Sequence, residues 1–238
     1  MQLFFHSNLQ DSTIELPEDE SKHCIRVLRK QLGDILTLID GKGNEAQCEI
    51  TNANPKKCIL KTVQIKHHPK PNSRHLHLVV APTKNFDRMD WMLEKCTEIG
   101  IDEITFIEAE NSERDKINKE RSEKILVQSI KQSKQYWLPQ LNNIISLKEL
   151  LSKETVQTTK FIAWCKTETT QGLAKHLLQS KDYSIMVLIG PEGDFTDNEL
   201  AQCEAKGFIP VSLGNTILRT ETAAMYACSV INSQIDNA

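Results

Sequence analysis

The chain has 238 residues, 39% hydrophobic and 26% charged, enough for one large or two modest cores in an ordinary globular protein. Its formal net charge of −3 carries no global basic signature, so any nucleic-acid contact must come from local patches. Seven scattered cysteines, none spaced C-x-x-C, argue against a disulfide framework or a zinc site, and no run approaches the roughly 18 apolar residues that cross a membrane.

The first ten residues, MQLFFHSNLQ, have neither the basic start nor the long apolar stretch of a signal peptide. A cytoplasmic location with reduced thiols is therefore expected, and Cys96 and Cys228 read as small core residues. A helix is predicted over 18–30. Short β-like runs come next at 34–40, 45–51 and 56–65, separated by turns at Asp40-Gly41-Lys42-Gly43 and at Asn52–Pro55. The polar stretch HHPKPNS (67–73) reads as a linker. Beyond it, apolar strands at 75–82, 103–109, 160–165, 184–190 and 208–214 alternate with helices at about 86–99, 119–134, 172–180, 196–206 and 219–235. In the first of these helices Phe86, Met89, Leu93, Cys96 and Ile99 fall at core-facing spacing. Such alternation predicts a parallel sheet with helices on both faces.

Ligands of open α/β sheets bind outside the carboxyl ends of the strands. Three such ends come late in the chain: WCKTE (164–168), LIGPEG (188–193) and SLGNTILRTETA (212–223). Thr196 and Glu199 form a capping-box pattern that starts a helix directly after the second. Glycine at a strand end lets backbone amides approach a ligand closely, although a single glycine loop is more often only a tight turn. Neither G-x-G-x-x-G nor G-x-x-x-x-G-K-[ST] is present, which argues against a conventional dinucleotide fold and a P-loop.

LIGPEGDFTDNEL followed by VSLGNTILRTETAAMYA closely resembles the C-terminal signature of the SPOUT superfamily of RNA methyltransferases. Within it the chain is similar to the RsmE family, which methylates N3 of a uridine in 16S ribosomal RNA. HCIRVLRKQLGDILTLIDGKG (23–43), DRMDWMLEKCTEIG (87–100), ENSER (110–114) and QSIKQSKQYWLPQL (128–141) extend the resemblance in order along nearly the whole chain. The resemblance implies a PUA-like RNA-binding β-barrel domain at 1–70 and an α/β trefoil-knot methyltransferase domain at 74–238. It also implies S-adenosylmethionine as methyl donor and a homodimer formed in part by the last helix, where Ala224, Ala227, Ile231 and Ile235 share a stripe that reads either as core or as part of that interface. The donor would be held by Leu188, Ile189, Gly190, Pro191, Glu192, Gly193, Leu213, Gly214, Asn215, Ile217, Leu218 and Ala223. Glu192 either orients its loop, faces the sulfonium or caps backbone amides. The family commonly carries a second glycine where this chain has Asp194. Either that position does not need positive φ, or aspartate tolerates it.

Methylation at N3 requires a positioned base, stabilisation of developing negative charge and a proton acceptor. Arg219 is the first candidate for the charge, with a salt bridge to Glu221 or a helix cap as its structural alternative. A neutral arginine base is excluded by its very high pKa. Glu221 and Glu98 are the candidate proton acceptors or orienting carboxylates. Arg26 and Arg29, with Lys22 at helical spacing, and Lys84, Arg88 and Lys95 around the helix at 86–99 are candidate RNA contacts, as are Lys131 and Lys134. Most such charges simply solvate a surface, but Arg29 and Arg88 fall in family motifs. No histidine pair has metal-ligand spacing. Two alternatives keep the fold: a methyltransferase acting on another RNA, and a non-catalytic RNA-binding assembly factor.

Overall fold

In the first unit, β-branched and aliphatic residues at alternate positions pair into a five-stranded sheet. A computed structural model describes residues 2–70, 75–153, 158–165, 171–178 and 184–233. Its contacts define two units: Met1–Pro71 with Val127–Leu138, and Asn72–Leu126 with Pro139–Ala238. In the first, β1 (Leu3–Phe5), β2 (Thr13–Glu15), β3 (Ile35–Ile39), β4 (Asn44–Asn54) and β5 (Lys57–His67) take the order β1-β3-β4-β5-β2. Only β1 and β3 are parallel. One core joins Phe4, Ile14, Leu36, Leu38, Ile50 and Leu60, with Cys24 and Cys58 fully buried beside them.

Two expectations for this unit need correction. The predicted turn at 52–55 falls later, because β4 runs on through Asn54 after a register shift between Ile50 and Asn52. The helix predicted over 18–30 is only α1 (Glu18–Lys22) continued by a single π-turn, His23–Val27. Leu28 N–H donates to His23 O, a five-residue step that widens the helix and rotates the residues beyond it. Arg29 then adopts φ 56°, so Lys22, Arg26 and Arg29 do not share a helical stripe. Lys22 is also engaged by Glu18 at 2.6 Å.

The second unit begins with β6 (His75–Val80), α2 (Phe86–Ile99) and β7 (Glu103–Glu108). α3 (Lys119–Ser133) is next, its residues from Val127 grouping with the first unit. Then come β8 (Gln140–Leu141), β9 (Ile145–Ser146), α4 (Leu147–Ser152), β10 (Thr158–Ala163), α5 (Leu173–Leu177) and β11 (Ser184–Ile189). The chain closes with α6 (Asp197–Ala205), β12 (Phe208–Val211) and α7 (Thr220–Ser233). The sheet order is β12-β10-β11-β6-β7-β8, with β9 also on β7, and every pairing is parallel.

Side-chain alternation splits the sheet into two buried faces. Met186 and Leu188 of β11 join Val79, Leu147, Leu150 and Cys203 in the core under α4 and α6. Ile185, Val187 and Ile189 of the same strand are buried on the opposite face, where α7 packs on β6 and β11 and against α2. On α2 the buried side chains are Met89, Met92, Leu93, Cys96 and Thr97. Phe86 is exposed and Ile99 only partly covered, because the helix turns its first and last residues away from the sheet. Ile235 of the predicted α7 stripe lies outside the described residues, whereas Ala224, Ala227 and Ile231 are buried.

Candidate active site at the carboxyl edge of the sheet

All strands of the second sheet run parallel, so the loops after β6, β7, β11 and β12 leave it at one edge. The connection after β11 is Gly190-Pro191-Glu192-Gly193-Asp194. Neither glycine has positive φ; the left-handed residue is Asp194, with φ 58°. Aspartate tolerates that conformation because its short carboxylate bonds locally. Asp194 Oδ1 accepts from Phe195 N–H at 2.8 Å and Oδ2 from Cys165 N–H at 3.4 Å. The glycines answer to packing instead. A Cβ on Gly190 would lie 3.0 Å from the buried Phe195 ring, and one on Gly193 would lie 3.1 Å from Asn111 Cβ. The capping box is formed as expected: Glu199 N–H donates to Thr196 Oγ1 and Thr196 N–H to Glu199 Oε2.

Two residues not singled out from sequence hold this edge together, both within ENSER. Asn111 Nδ2 donates to Gly193 O at 3.3 Å and to Asp194 O at 3.0 Å, tying the loop after β7 to the loop after β11. Arg114 donates twice to Lys84 O, at 2.9 and 2.6 Å, and lays its guanidinium 3.8 Å over the Phe86 ring. Both are polar residues in a loop after a buried strand, a signal that distinguishes no role without coordinates. Thr220 is a third brace, its Oγ1 donating to Gly190 O at 3.0 Å.

The segment between β12 and α7 exposes backbone. Among the described residues, none of the N–H groups of Asn215 through Arg219 donates to a protein acceptor. Gly214 has φ 130° and its N–H bonds Ser212 Oγ, while Ile217 is 87% exposed. Leu188, Ile189, Pro191 and Ala223 are buried, Leu213 and Leu218 partly so, and Gly193, Gly214 and Asn215 are exposed. Glu192 is exposed and accepts no backbone hydrogen bond among the described residues, so the loop-capping alternative is not what the fold uses. Of WCKTE, residues 166–168 lie outside the described residues.

The charged candidates separate clearly. Arg219 is exposed and has no ion pair among the described residues; the alternative salt bridge with Glu221 is not formed. Glu221 is only 6% exposed and faces Arg88 instead, with Arg88 Nε 3.7 Å from its Oε1. Its Oε2 is buried with no hydrogen-bond partner among the described residues. Glu98 is held by Lys95, whose ammonium donates to both its oxygens at 3.1 and 3.2 Å and to Glu94 at 2.7 Å. Those carboxylates hold the Lys95 ammonium charged, raising its pKa. Lys84 is exposed, with Glu113 at 3.8 Å. Arg26 is exposed in the π-turn of the first unit, and Arg29 is exposed just beyond it. There Lys131 pairs with Glu20, and Lys134 is exposed with φ 57°.

Histidine serves structure here. His77, buried against Thr105 Oγ1 at 2.7 Å, has its pKa pushed down to about 4 by burial, which outweighs the opposing pull of Glu103. Among the described residues, no cluster of three or more His, Cys, Asp and Glu side chains is placed to hold a metal, and no helix is long and apolar enough to cross a membrane. Six of the seven cysteines are buried, Cys96 and Cys228 among them, and Cys165 is exposed.

Comparison with known proteins also finds two domains, although it runs the second unbroken through residues 127–138, which the structure groups with the first unit. Residues 70–232 match the RNA methyltransferase domain family and residues 16–63 the RNA methyltransferase PUA domain family. The curated Ribosomal RNA small subunit methyltransferase E of Mesomycoplasma hyopneumoniae is 31% identical over 74% of this chain and 76% of its own. A crystal structure of a probable rRNA-methyltransferase from Porphyromonas gingivalis shares 36% identity and superposes with a TM-score of 0.91, covering 100% of this chain and 99% of that one. The Neisseria gonorrhoeae Ribosomal RNA small subunit methyltransferase E, solved bound to S-adenosyl methionine, shares 26% identity with a TM-score of 0.86, covering 98% and 97%. The expected α/β architecture with a PUA-like N-terminal domain is thus borne out, and the chain belongs to the RNA methyltransferase family that includes Ribosomal RNA small subunit methyltransferase E.

Proposed function

We propose that this protein transfers the methyl group of S-adenosylmethionine to N3 of a uridine in small-subunit ribosomal RNA. The observation that carries the reading is likeness along the whole chain, at TM-score 0.86, to a methyltransferase solved with S-adenosyl methionine bound. The residues present fit that donor. Backbone N–H groups at 215–219 have no protein acceptors among the described residues, and Ile217 offers apolar surface beside them. Together with Leu188–Gly193, Leu213, Gly214, Leu218 and Ala223 they would hold the adenosyl group, and the bound donor supplies an electrophilic methyl on sulfur. Arg219, exposed at the same loop, is available to a substrate anion.

On this reading residues 1–70 form the RNA-binding domain and 74–238 the catalytic domain, the latter with the trefoil knot of its superfamily. The protein acts as a cytoplasmic homodimer. Arg26, Arg29, Lys84 and Arg88 remain RNA-contact candidates. Lys95 is the weaker one, since its charge is already shared between Glu94 and Glu98. Two experiments test the function. Calorimetry should detect binding of S-adenosylmethionine and S-adenosylhomocysteine; absence of both would sink any methyltransferase reading. Mass mapping of small-subunit rRNA from cells lacking the protein should show one N3-methyluridine missing; unchanged modification would refute the assigned target.

A further inference from the structure

We infer that Glu221 is the proton acceptor of the reaction and, with Arg88, reads the imide edge of the target base. This rests on the uridine-N3 reading above and assigns a role that the family match leaves open.

The two carboxylates that could serve differ in how their lone pairs are used. Glu98 has both oxygens on the Lys95 ammonium, at 3.1 and 3.2 Å. Glu221 is nearly enclosed, its side chain 8% exposed. Arg88 Nε, at 3.7 Å, is too far for a hydrogen bond, and Oε2 has no donor among the described residues. Glu20 in the first unit also has an orphan oxygen, but its other oxygen accepts from Lys131 at 2.5 Å, a complete ion pair. Among the described residues Glu221 alone combines a buried carboxylate oxygen that accepts no hydrogen bond with an ion partner that stops at 3.7 Å, an arrangement that persists in a fold only when something else over-determines it. The cause here is local. Thr220, its neighbour, is tied to Gly190 O, and Ala223 N–H donates to Arg219 O at 2.7 Å. The first turn of α7 is therefore fixed to the loop after β11 and cannot turn the carboxylate towards water.

The missing partner is an N–H donor flanked by an acceptor that a guanidinium can reach. Uracil presents that pattern at N3–H between two carbonyl oxygens. Arg88, in the first turn of α2 and 37% exposed, moves onto a uracil carbonyl and opens the way to Glu221 Oε2. Oε2 accepts the N3–H hydrogen bond and then the proton: the N–H bond breaks, its electron pair stays on N3 as the nucleophile, and the proton leaves on Glu221. Arg88 and Arg219 stabilise the charge left on the ring. Cytosine has a lone pair at N3 and would meet the carboxylate with repulsion, so the same pair discriminates uridine from cytidine.

The test uses the full-length protein, E221Q and a transcript spanning the uridine located by mass mapping, made with uridine or cytidine there. The wild type, saturated with S-adenosylhomocysteine, should bind the uridine transcript at least about 10-fold more tightly than the cytidine one. E221Q should lose that preference, because a glutamine amide can flip to serve either base. Its single-turnover rate should fall by about 10²-fold or more, with S-adenosylhomocysteine affinity unchanged. Its melting temperature should stay close to that of the wild type, since the Arg88 contact it loses is too long for a hydrogen bond and Oε2 has no donor among the described residues; a purely structural Arg88–Glu221 ion pair requires a clear fall. E221Q with wild-type rate and base preference overturns the assignment, and so does a melting temperature well below wild type with a base preference that survives. A wild type that leaves the uridine transcript unmethylated overturns the functional reading instead.

Discussion

Replacing Asp194 separates backbone strain from side-chain bonding at the turn after β11. A non-glycine residue at φ 58° carries roughly 1–2 kcal/mol of local strain. Aspartate offsets it by accepting from Phe195 N–H at 2.8 Å and, more weakly, from Cys165 N–H at 3.4 Å. A charge-assisted bond to backbone contributes about 1.5–3 kcal/mol when buried; Asp194 is half-buried, so the lower end applies. Asp194→Ala keeps the strain and loses both bonds, and should destabilise by about 1.5–2 kcal/mol. Asp194→Gly loses the bonds but relieves the strain, and should fall within about 1 kcal/mol of wild type. Urea unfolding of the two variants gives both numbers. Thiol alkylation provides an independent check, because Asp194, after burial, is a cause of the raised pKa of Cys165, and both variants should react faster there. If alanine proves no worse than glycine, the left-handed backbone is not what constrains this position.

His77 should make stability pH-dependent. It is neutral in the fold, so its contribution is complete above 6.5 and is lost as pH falls towards about 4. The interval corresponds to about 3 kcal/mol. His77→Gln should flatten urea midpoints between pH 7 and 4.5, and an unchanged slope would assign the effect to Glu103 or His75 nearby. Gly190→Ala forces a methyl against the Phe195 ring and should destabilise by about 1–3 kcal/mol in the same assay. Arg219→Ala should leave S-adenosylhomocysteine affinity within about twofold while lowering turnover by about 10²-fold or more, since its guanidinium makes no hydrogen bond or ion pair among the described residues. A large loss of donor affinity would make Arg219 a donor ligand instead.

Strand period and helix spacing make the second sheet legible, since its strands are short apolar runs with a helix pattern between most of them. The predicted bounds of α2 match the observed ones because Asn85 caps it and Gly100 ends it in the left-handed region. The first unit is less legible. A π-turn has no distinct composition, so continuous helical spacing through Arg29 gives no sign that Leu28 bonds five residues back. Strands as short as β1 and β8 are set by partners far along the chain, as when Leu3 aligns with Thr37 and Gln140 with Glu103, and their own residues carry little period.

The site shows the same limit at the level of single side chains. Arg88, Lys95, Glu98, Arg219 and Glu221 are all visible as charges in the sequence, which puts Arg219 first for the developing charge but does not choose between Glu98 and Glu221 as proton acceptor. Ranking depends on which partner each charge finds. Glu98 and Lys95 sit three residues apart on one helix and satisfy each other, an arrangement helical geometry makes available to any such pair. Glu221 meets Arg88 only because α7 packs against α2, more than 130 residues away in sequence, and that packing stops short of a hydrogen bond. A chain selected only for stability would close that gap or replace the carboxylate, since a buried ion pair offsets its desolvation only when good geometry and further hydrogen bonds satisfy both partners. The carboxylate stands at the carboxyl edge of the sheet, near backbone amides of 215–219 that have no protein acceptor among the described residues, and that shared unmet hydrogen-bonding capacity is what a bound donor and base would satisfy.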